Sequence, residues 1–241
     1  MIGFAKRCAK EILRDPLNIF FGLGFPLVLL FLLSAIQANI PVQLFEIEKL
    51  APGIAVFGLS FMTLFSATLV ARDRESSFLQ RLYTAPLKPL DFILGYMIPL
   101  LPIALLQSAV CFSAAMILGL PINLNIIFAL LLMVPVAFFY ISLGLLCGSV
   151  LNVKQTGGIC GALLTNLSAW LSGIWFDLEL VGGFFKKTAD FLPFVHAVEL
   201  ERAVINGNFS GIFIHLVFVL VYAVLITVCA VSAFLKQMKN Q

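Results

Sequence analysis

Apolar runs long enough to cross a bilayer recur six times along the chain, at about 17–36, 52–71, 92–118, 126–151, 157–176 and 211–235. A helical span needs about 20 apolar residues, and a soluble fold has no means of hiding six such runs within 241 residues. The charge count agrees. An ordinary domain carries about 25% charged residues, whereas this chain carries 11%, with 15 Lys and Arg and 12 Asp and Glu. A surface so poor in charge must face lipid over most of its area, which excludes a soluble domain and a disordered chain. Inside lipid every backbone polar group needs an internal partner. The expected fold class is therefore all-α: a polytopic membrane protein with six transmembrane helices, forming one domain over 1–241. Pro99 and Pro102 fall inside the third run, where the missing donors predict a bend or break.

Ahead of the first run, residues 1–15 interleave Lys6, Arg7, Lys10 and Arg14 with Ile2, Ala5, Cys8, Ile12 and Leu13. Spacings of three and four put the apolar set on one helical stripe. That is the pattern of a basic amphipathic helix lying in the membrane interface. A signal peptide is the competing reading, but the run that follows is too long for an h-region and lacks a small-x-small exit. Six spans place both termini on one side. The N-terminus, the 72–91 and 152–156 loops and the tail hold eleven of the fifteen basic residues; the opposite segments hold Lys49, Lys186, Lys187 and Arg202. Basic residues concentrate on the cytoplasmic side, so both termini are expected in the cytoplasm of a cell that carries the chain in its inner or plasma membrane. A net charge of +3 is too small to suggest a nucleic-acid partner.

The middles of the runs hold no Asp, Glu, Lys or Arg. An ion- or proton-coupled carrier ordinarily needs an intramembrane carboxylate. An intramembrane enzyme needs a nucleophile with its base, paired carboxylates or metal ligands. Two histidines, His196 and His215, and five cysteines without a C-x-x-C pair suggest no metal site. Thr63, Ser66, Gln107 and Asn166 are the candidates for a weakly polar substrate path, with interhelical hydrogen bonding as the alternative for each. Two G-x-x-x-G pairs, Gly144 with Gly148 and Gly157 with Gly161, flank the 152–156 loop. Glycines four apart let helix backbones approach closely. The expected contact is between the fourth and fifth spans, with a second copy of the chain as the alternative.

The most polar stretch, 72–91, reads RDRESSFLQRLYTAPLKPLD. Asp73 suits an N-cap, and Phe78, Leu79, Leu82 and Tyr83 share one face of a short helix. Thr84-Ala85-Pro86 ends it and Pro89 prevents an early restart. Such a helix either lies on the lipid surface or docks in a groove of a cytoplasmic partner.

The Arg-Asp-Arg-Glu run at the end of a second span, the apolar helix, Ala85-Pro86-Leu87 and Pro89-Leu90, then a span opening Ile93-Leu94-Gly95 with Pro99, resembles the permease subunit of type-2 ATP-binding-cassette exporters. The resemblance covers the whole chain. It implies that the loop contains a coupling helix, with Arg72, Asp73, Arg74, Glu75, Phe78, Leu79, Arg81 and Leu82 touching an ATPase subunit. It also implies short helices in 177–210 that dip back into the outer leaflet, loosely marked by Leu192-Pro193 and Glu199-Leu200-Glu201-Arg202. No window reads G-x-x-x-x-G-K-[S/T], the phosphate-cradling loop. The chain is thus expected to be no enzyme, with no catalytic residue and no cofactor of its own. ATP and Mg would sit on a separate ATPase subunit, two copies of which serve two permeases, either a homodimer or a pair of close paralogues. The apolar path favours hydrophobic or amphipathic cargo such as a drug, an antibiotic or a lipid-like compound. A lipid-linked polysaccharide is the alternative. An ion-coupled carrier and a non-transporting assembly protein are the rivals from other classes.

Overall fold

The computed structural model describes residues 2–16, 20–41, 44–76 and 89–239, and every regular element among them is helical. Helix α1 spans Ile2–Arg14. A short π-helical turn, Phe20–Gly24, leads into α2, Phe25–Asn39, where Pro26 occupies a first-turn position that needs no donor. Helix α3 spans Ile47–Glu75, α4 spans Pro89–Ile117 and α5 spans Asn125–Val150. The fifth expected run is a succession of α6 (Val153–Thr156), π-helical turns at Gly157–Leu164, and α7 (Thr165–Leu171). The outer segment folds as α8 (Leu178–Val181), α9 (Gly183–Phe191) and α10 (Pro193–Ile205). The last helix, α11, spans Ile212–Lys239.

Among the described residues, five helices are long and apolar enough to cross a membrane: Phe20–Asn39, Ile47–Glu75, Ile93–Ile117, Asn125–Val150 and Ile212–Gln237. The run expected at 157–176 is displaced toward the N-terminus. Its helical stretch begins after Asn152, whose side chain and that of Gln155 form a reciprocal cap. It stops at Leu171, where Gly173 turns the chain with φ +69°. Of the bend or break expected at Pro99 and Pro102, the break is absent, because α4 runs without interruption through both. Packing neighbours tolerate such prolines in a membrane bundle.

Helix α3 is the axis of the molecule. It packs against α2, α4, α5, the π-helical turns and α10, and nearly every residue between Leu50 and Ala71 is buried. At 29 residues it is about 43 Å long, well beyond the ~30 Å of a bilayer core. Its ends therefore reach past the apolar layer, carrying Glu48 and Lys49 at one and Arg72 to Glu75 at the other. Helix α11 is the opposite case, with much of its apolar surface exposed, as a lipid-facing span requires.

Gly144 and Gly148 set a close helix contact, and the partner is α3 rather than the fifth run. A methyl group added at Gly144 would stand 2.9 Å from Thr63 Cα, and one at Gly148 would stand 2.9 Å from Ala67 Cα. Thr63 Oγ1 donates to the Tyr140 carbonyl at 2.9 Å, and Ser66 Oγ reaches the Ile141 carbonyl at 3.2 Å. Small side chains on both helices make this approach, so α3 and α5 lock backbone to backbone. The second pair differs. Gly157 is exposed with open space around it, and Gly161 meets only the side chain of Leu64.

Candidate functional site

The charged end of α3 gathers five other helices. Asp73 is 1% exposed. Arg7 of α1 grips its carboxylate with both guanidinium nitrogens, at 2.5 and 3.0 Å, and Tyr96 of α4 donates to it at 2.9 Å. Forked ion pairs of this kind are among the stronger polar contacts in proteins. The apolar stripe of α1 follows the same direction. Cys8 and Ile12 are buried, and Phe4 meets the Tyr96 ring edge-on at 4.8 Å in space left free by Gly95. The stripe is therefore turned mainly to α4, with Ile12 beside Phe65 and Leu69 of α3, while Lys6, Lys10 and Arg14 stay exposed along an open groove on the other side of α1. Burial, with the Asp73 charge beside it, pushes the Cys8 thiol up to about 12. For Arg7, burial pulls downward, but the bond and charge of Asp73 outweigh it and leave the guanidinium more firmly protonated.

Arg74 turns to the far side. It donates to the carbonyls of Ser149 and Leu151, the latter at 2.6 Å, and to Gln237 of α11 at 3.2 Å. These carbonyls close α5, and a cation there also suits the negative end of the helix dipole. Glu75 accepts from the Val153 N–H at 2.9 Å, where α6 begins and an anion is favoured. Arg72 lies 3.7 Å from Asp15, just past α1. The expected N-cap role of Asp73 is thus corrected: Asp73 sits inside α3, which continues to Glu75 and closes at Ser76. Helix formation persists past Ala71 because each of these charges has a partner. Arg72 and Glu75 are exposed, Arg74 is half-buried, and Phe78, Leu79, Arg81 and Leu82 lie outside the described residues.

The four path candidates do not converge. Thr63 and Ser66 are spent on the α5 backbone. Gln107 is buried between α4 and α3, with Nε2 3.5 Å from the Ala55 carbonyl and 3.3 Å from Cys111 Sγ, and its Oε1 has no partner among the described residues. Asn166 is exposed and bonds only within its own helical turn, to the Ala162 carbonyl at 2.7 Å. Among the described residues, no group of three or more His, Cys, Asp or Glu is placed to hold a metal ion.

The opposite end of α3 meets the outer segment. Arg202 of α10 donates to the carbonyls of Lys49 and Gly173, at 3.2 and 3.1 Å, and pairs with Glu199 at 2.8 Å. Helix α10 runs antiparallel to α5. Its last carbonyl, on Ile205, accepts from Asn125 at 3.3 Å, while Phe194 in its first turn packs on Phe139 and Tyr140. His196 Nδ1 is 2.8 Å from His215 Nδ1 of α11, and His196 Nε2 is 2.9 Å from the Asp190 carbonyl. Glu201 is wholly buried, and neither of its carboxylate oxygens has a partner among the described residues. Sequence reasoning gave no role to Tyr96, and read Arg7 only as one basic residue of the N-terminal helix and Glu201 only as a loose marker of the outer segment. For Glu201 a signal existed: it stands three or four residues from Ala197, Val198, Val204 and Ile205, inside an apolar stripe.

A bundle of long apolar helices about one buried axis, with its charges gathered at the two ends of that axis, defines a polytopic membrane protein. Residues 3–206 match the sequence profile of the ABC-2 type transporter family, and the chain belongs to that family. It is 33% identical over 153 residues to a chain named transport permease ycf38 in Porphyra purpurea, covering 59% of this chain and 53% of that one. The like-named chain of Pyropia yezoensis is 32% identical over 149 residues, 58% of this chain and 51% of that one. ABC transporter G family member 20 of Dictyostelium discoideum is 25% identical over 206 residues, 80% of this chain and 27% of its own length. The chain therefore spans about half the length of the two permeases it matches, and less of the third.

Proposed function

We propose that this chain is the membrane-spanning half of an ATP-driven exporter, working as a homodimer or with a close paralogue, and driven by two copies of an ATPase subunit that bind ATP and Mg. The termini face the cytoplasm, the helical stretch 153–171 serves as a further span, and α1 lies at the cytoplasmic interface. The cargo is hydrophobic or amphipathic and passes between the two permeases, since the spans offer it no fixed charge.

One observation carries this reading. The charged end of α3 is bonded to α1, α4, α5, α6 and α11 at once. The chain passes directly from that end into the rest of the 72–91 loop, where the coupling helix is expected. A partner that pulls on the coupling helix thereby pulls on α3 and on every helix tied to it. Asp73 and Arg74 then act as intramolecular anchors. Arg72 and Glu75, together with Phe78, Leu79, Arg81 and Leu82, offer the contact surface. The test is the double substitution Phe78→Asp with Leu82→Asp. Transport should be lost and the ATPase should no longer co-purify, while the amount of chain in the membrane stays unchanged. Normal transport by that variant would remove the coupling role from this segment.

A further inference from the structure

The structure assigns a proton-binding site to the outer segment: the carboxyl of Glu201, which holds a proton while α10 is seated against α3 and α5 and gives it to outside water when α10 lifts. The side chain is fully buried, and both of its oxygens lack a hydrogen-bond partner among the described residues. An ionised carboxylate without a partner is among the costliest groups to bury. A seated Glu201 must therefore be the neutral acid.

Its surroundings point the same way. Glu201 is in register with Phe194, Ala197, Val198, Val204 and Ile205, all buried, on the stripe that includes the Phe194 contact with α5. Between the anchor points at Asn125 and Tyr140, the buried residues of α5 include Ala129, Met133 and Val136, none of them ionisable. The titratable groups on the elements packed against α10 are engaged elsewhere. Arg202 is turned to Glu199, Lys49 and Gly173, and His196 to His215 and Asp190. Tyr140 bonds to Ser168, Tyr222 to Phe191, Lys49 to Glu46 and Lys186 to Glu179. Neither Glu48 of α3 nor Lys187 of α9 forms an ion pair with Glu201. Burial alone pushes its carboxyl well above the ordinary 4.5.

The sign follows from linkage. The lifted state loses its proton near 4.5 and the seated state only at higher pH, so between these values seating takes up one proton. Seating is strongest below the ordinary carboxyl range and weakens by about tenfold per pH unit until the seated acid itself ionises. The site concerns the seat of α10 and does not depend on what the chain carries.

Hydrogen–deuterium exchange of 193–205, measured on the full chain in lipid nanodiscs from pH 6 to 8, reads the seat directly. Glu201→Gln, a neutral mimic of the protonated acid, is compared at each pH. This comparison removes the intrinsic pH dependence of exchange and any contribution of His196 and His215. The exchange ratio of wild type to Glu201→Gln should grow with pH, by at most about tenfold per unit. Glu201→Leu should show no such growth. A second readout is an infrared carbonyl band of a protonated carboxyl at neutral pH, present in wild type and absent from Glu201→Gln. A ratio that stays constant with pH, or absence of the band, overturns the assignment. Neither measurement needs cargo or an ATPase, so its failure is distinct from failure of the exporter reading.

Discussion

Four consecutive charges, Arg72 to Glu75, look alike in the sequence, and packing separates them. Successive residues on a helix point about 100° apart, so they cannot all meet one partner. Arg72 and Glu75 are exposed, Asp73 faces α1 and Arg74 faces the end of α5. That a cluster ends the second span is legible from the residues alone. Which charge turns inward is not, because it depends on Arg7, 66 positions away, and on a tyrosine that reads as one more apolar residue. The pairing can be measured. Arg7→Ala, Asp73→Ala and the double variant should give a coupling of about 1–2 kcal/mol in unfolding, trimmed by solvent screening because Arg7 is partly exposed. Additive effects would mean that the pair contributes nothing. Cys8 supplies a second readout. Buried and with its thiol pushed up to about 12, it should resist maleimide in the wild type. In Arg7→Ala it should label much faster as α1 loosens, with the site identified by peptide mass. Equal labelling in the two would show that α1 is held without Arg7.

At the scale of elements, the spacing of small residues is informative about closeness and silent about partners. Both G-x-x-x-G pairs have the same pattern, yet only Gly144 and Gly148 touch a backbone. The difference lies in what faces them. Helix α3 presents Thr63, Ser66 and Ala67 to the first pair, all small, whereas Gly161 meets Leu64, whose branched side chain holds the helices apart. Gly144→Ala should therefore cost about 1–3 kcal/mol through overpacking. Gly157→Ala, in open space on a helical turn, should be neutral or stabilising by up to about 1 kcal/mol. Thermal unfolding of the two variants in detergent checks the contrast, and equal losses would contradict the α3–α5 contact. The fifth run shows a related limit. Hydropathy registers that 157–176 is apolar, but the reciprocal cap at Asn152 and the glycine turn at Gly173 set the helical boundaries. Neither feature changes the hydropathy profile.

For the whole molecule, the six apolar runs make an all-helical membrane fold readable at once, and the distribution of charge acquires a spatial meaning. The segments that hold eleven basic residues in the sequence meet at one end of α3: α1 through Arg7, the 152–156 turn through Glu75 and the tail through Gln237. Of the four remaining basic residues, Lys49 and Arg202 meet at the other end. The asymmetry thus runs along a single axis, and it bears on Glu201 as well. The spans were expected to lack ionisable groups, and the buried acid was missed because it belongs to a segment that reads as a mixed loop and folds back against α5. If basic residues mark the cytoplasmic side, Lys186, Lys187 and the Glu201 end face outward. A membrane-impermeant amine reagent applied to intact cells should then modify the exposed Lys187 and spare the exposed Lys6 and Lys10. Applied to inverted vesicles it should do the reverse. Labelling of Lys6 and Lys10 in intact cells would invert the assignment. It would place the charged end of α3 outside, where no ATP-driven partner could reach it, and turn the proton site of α10 toward the cytoplasm.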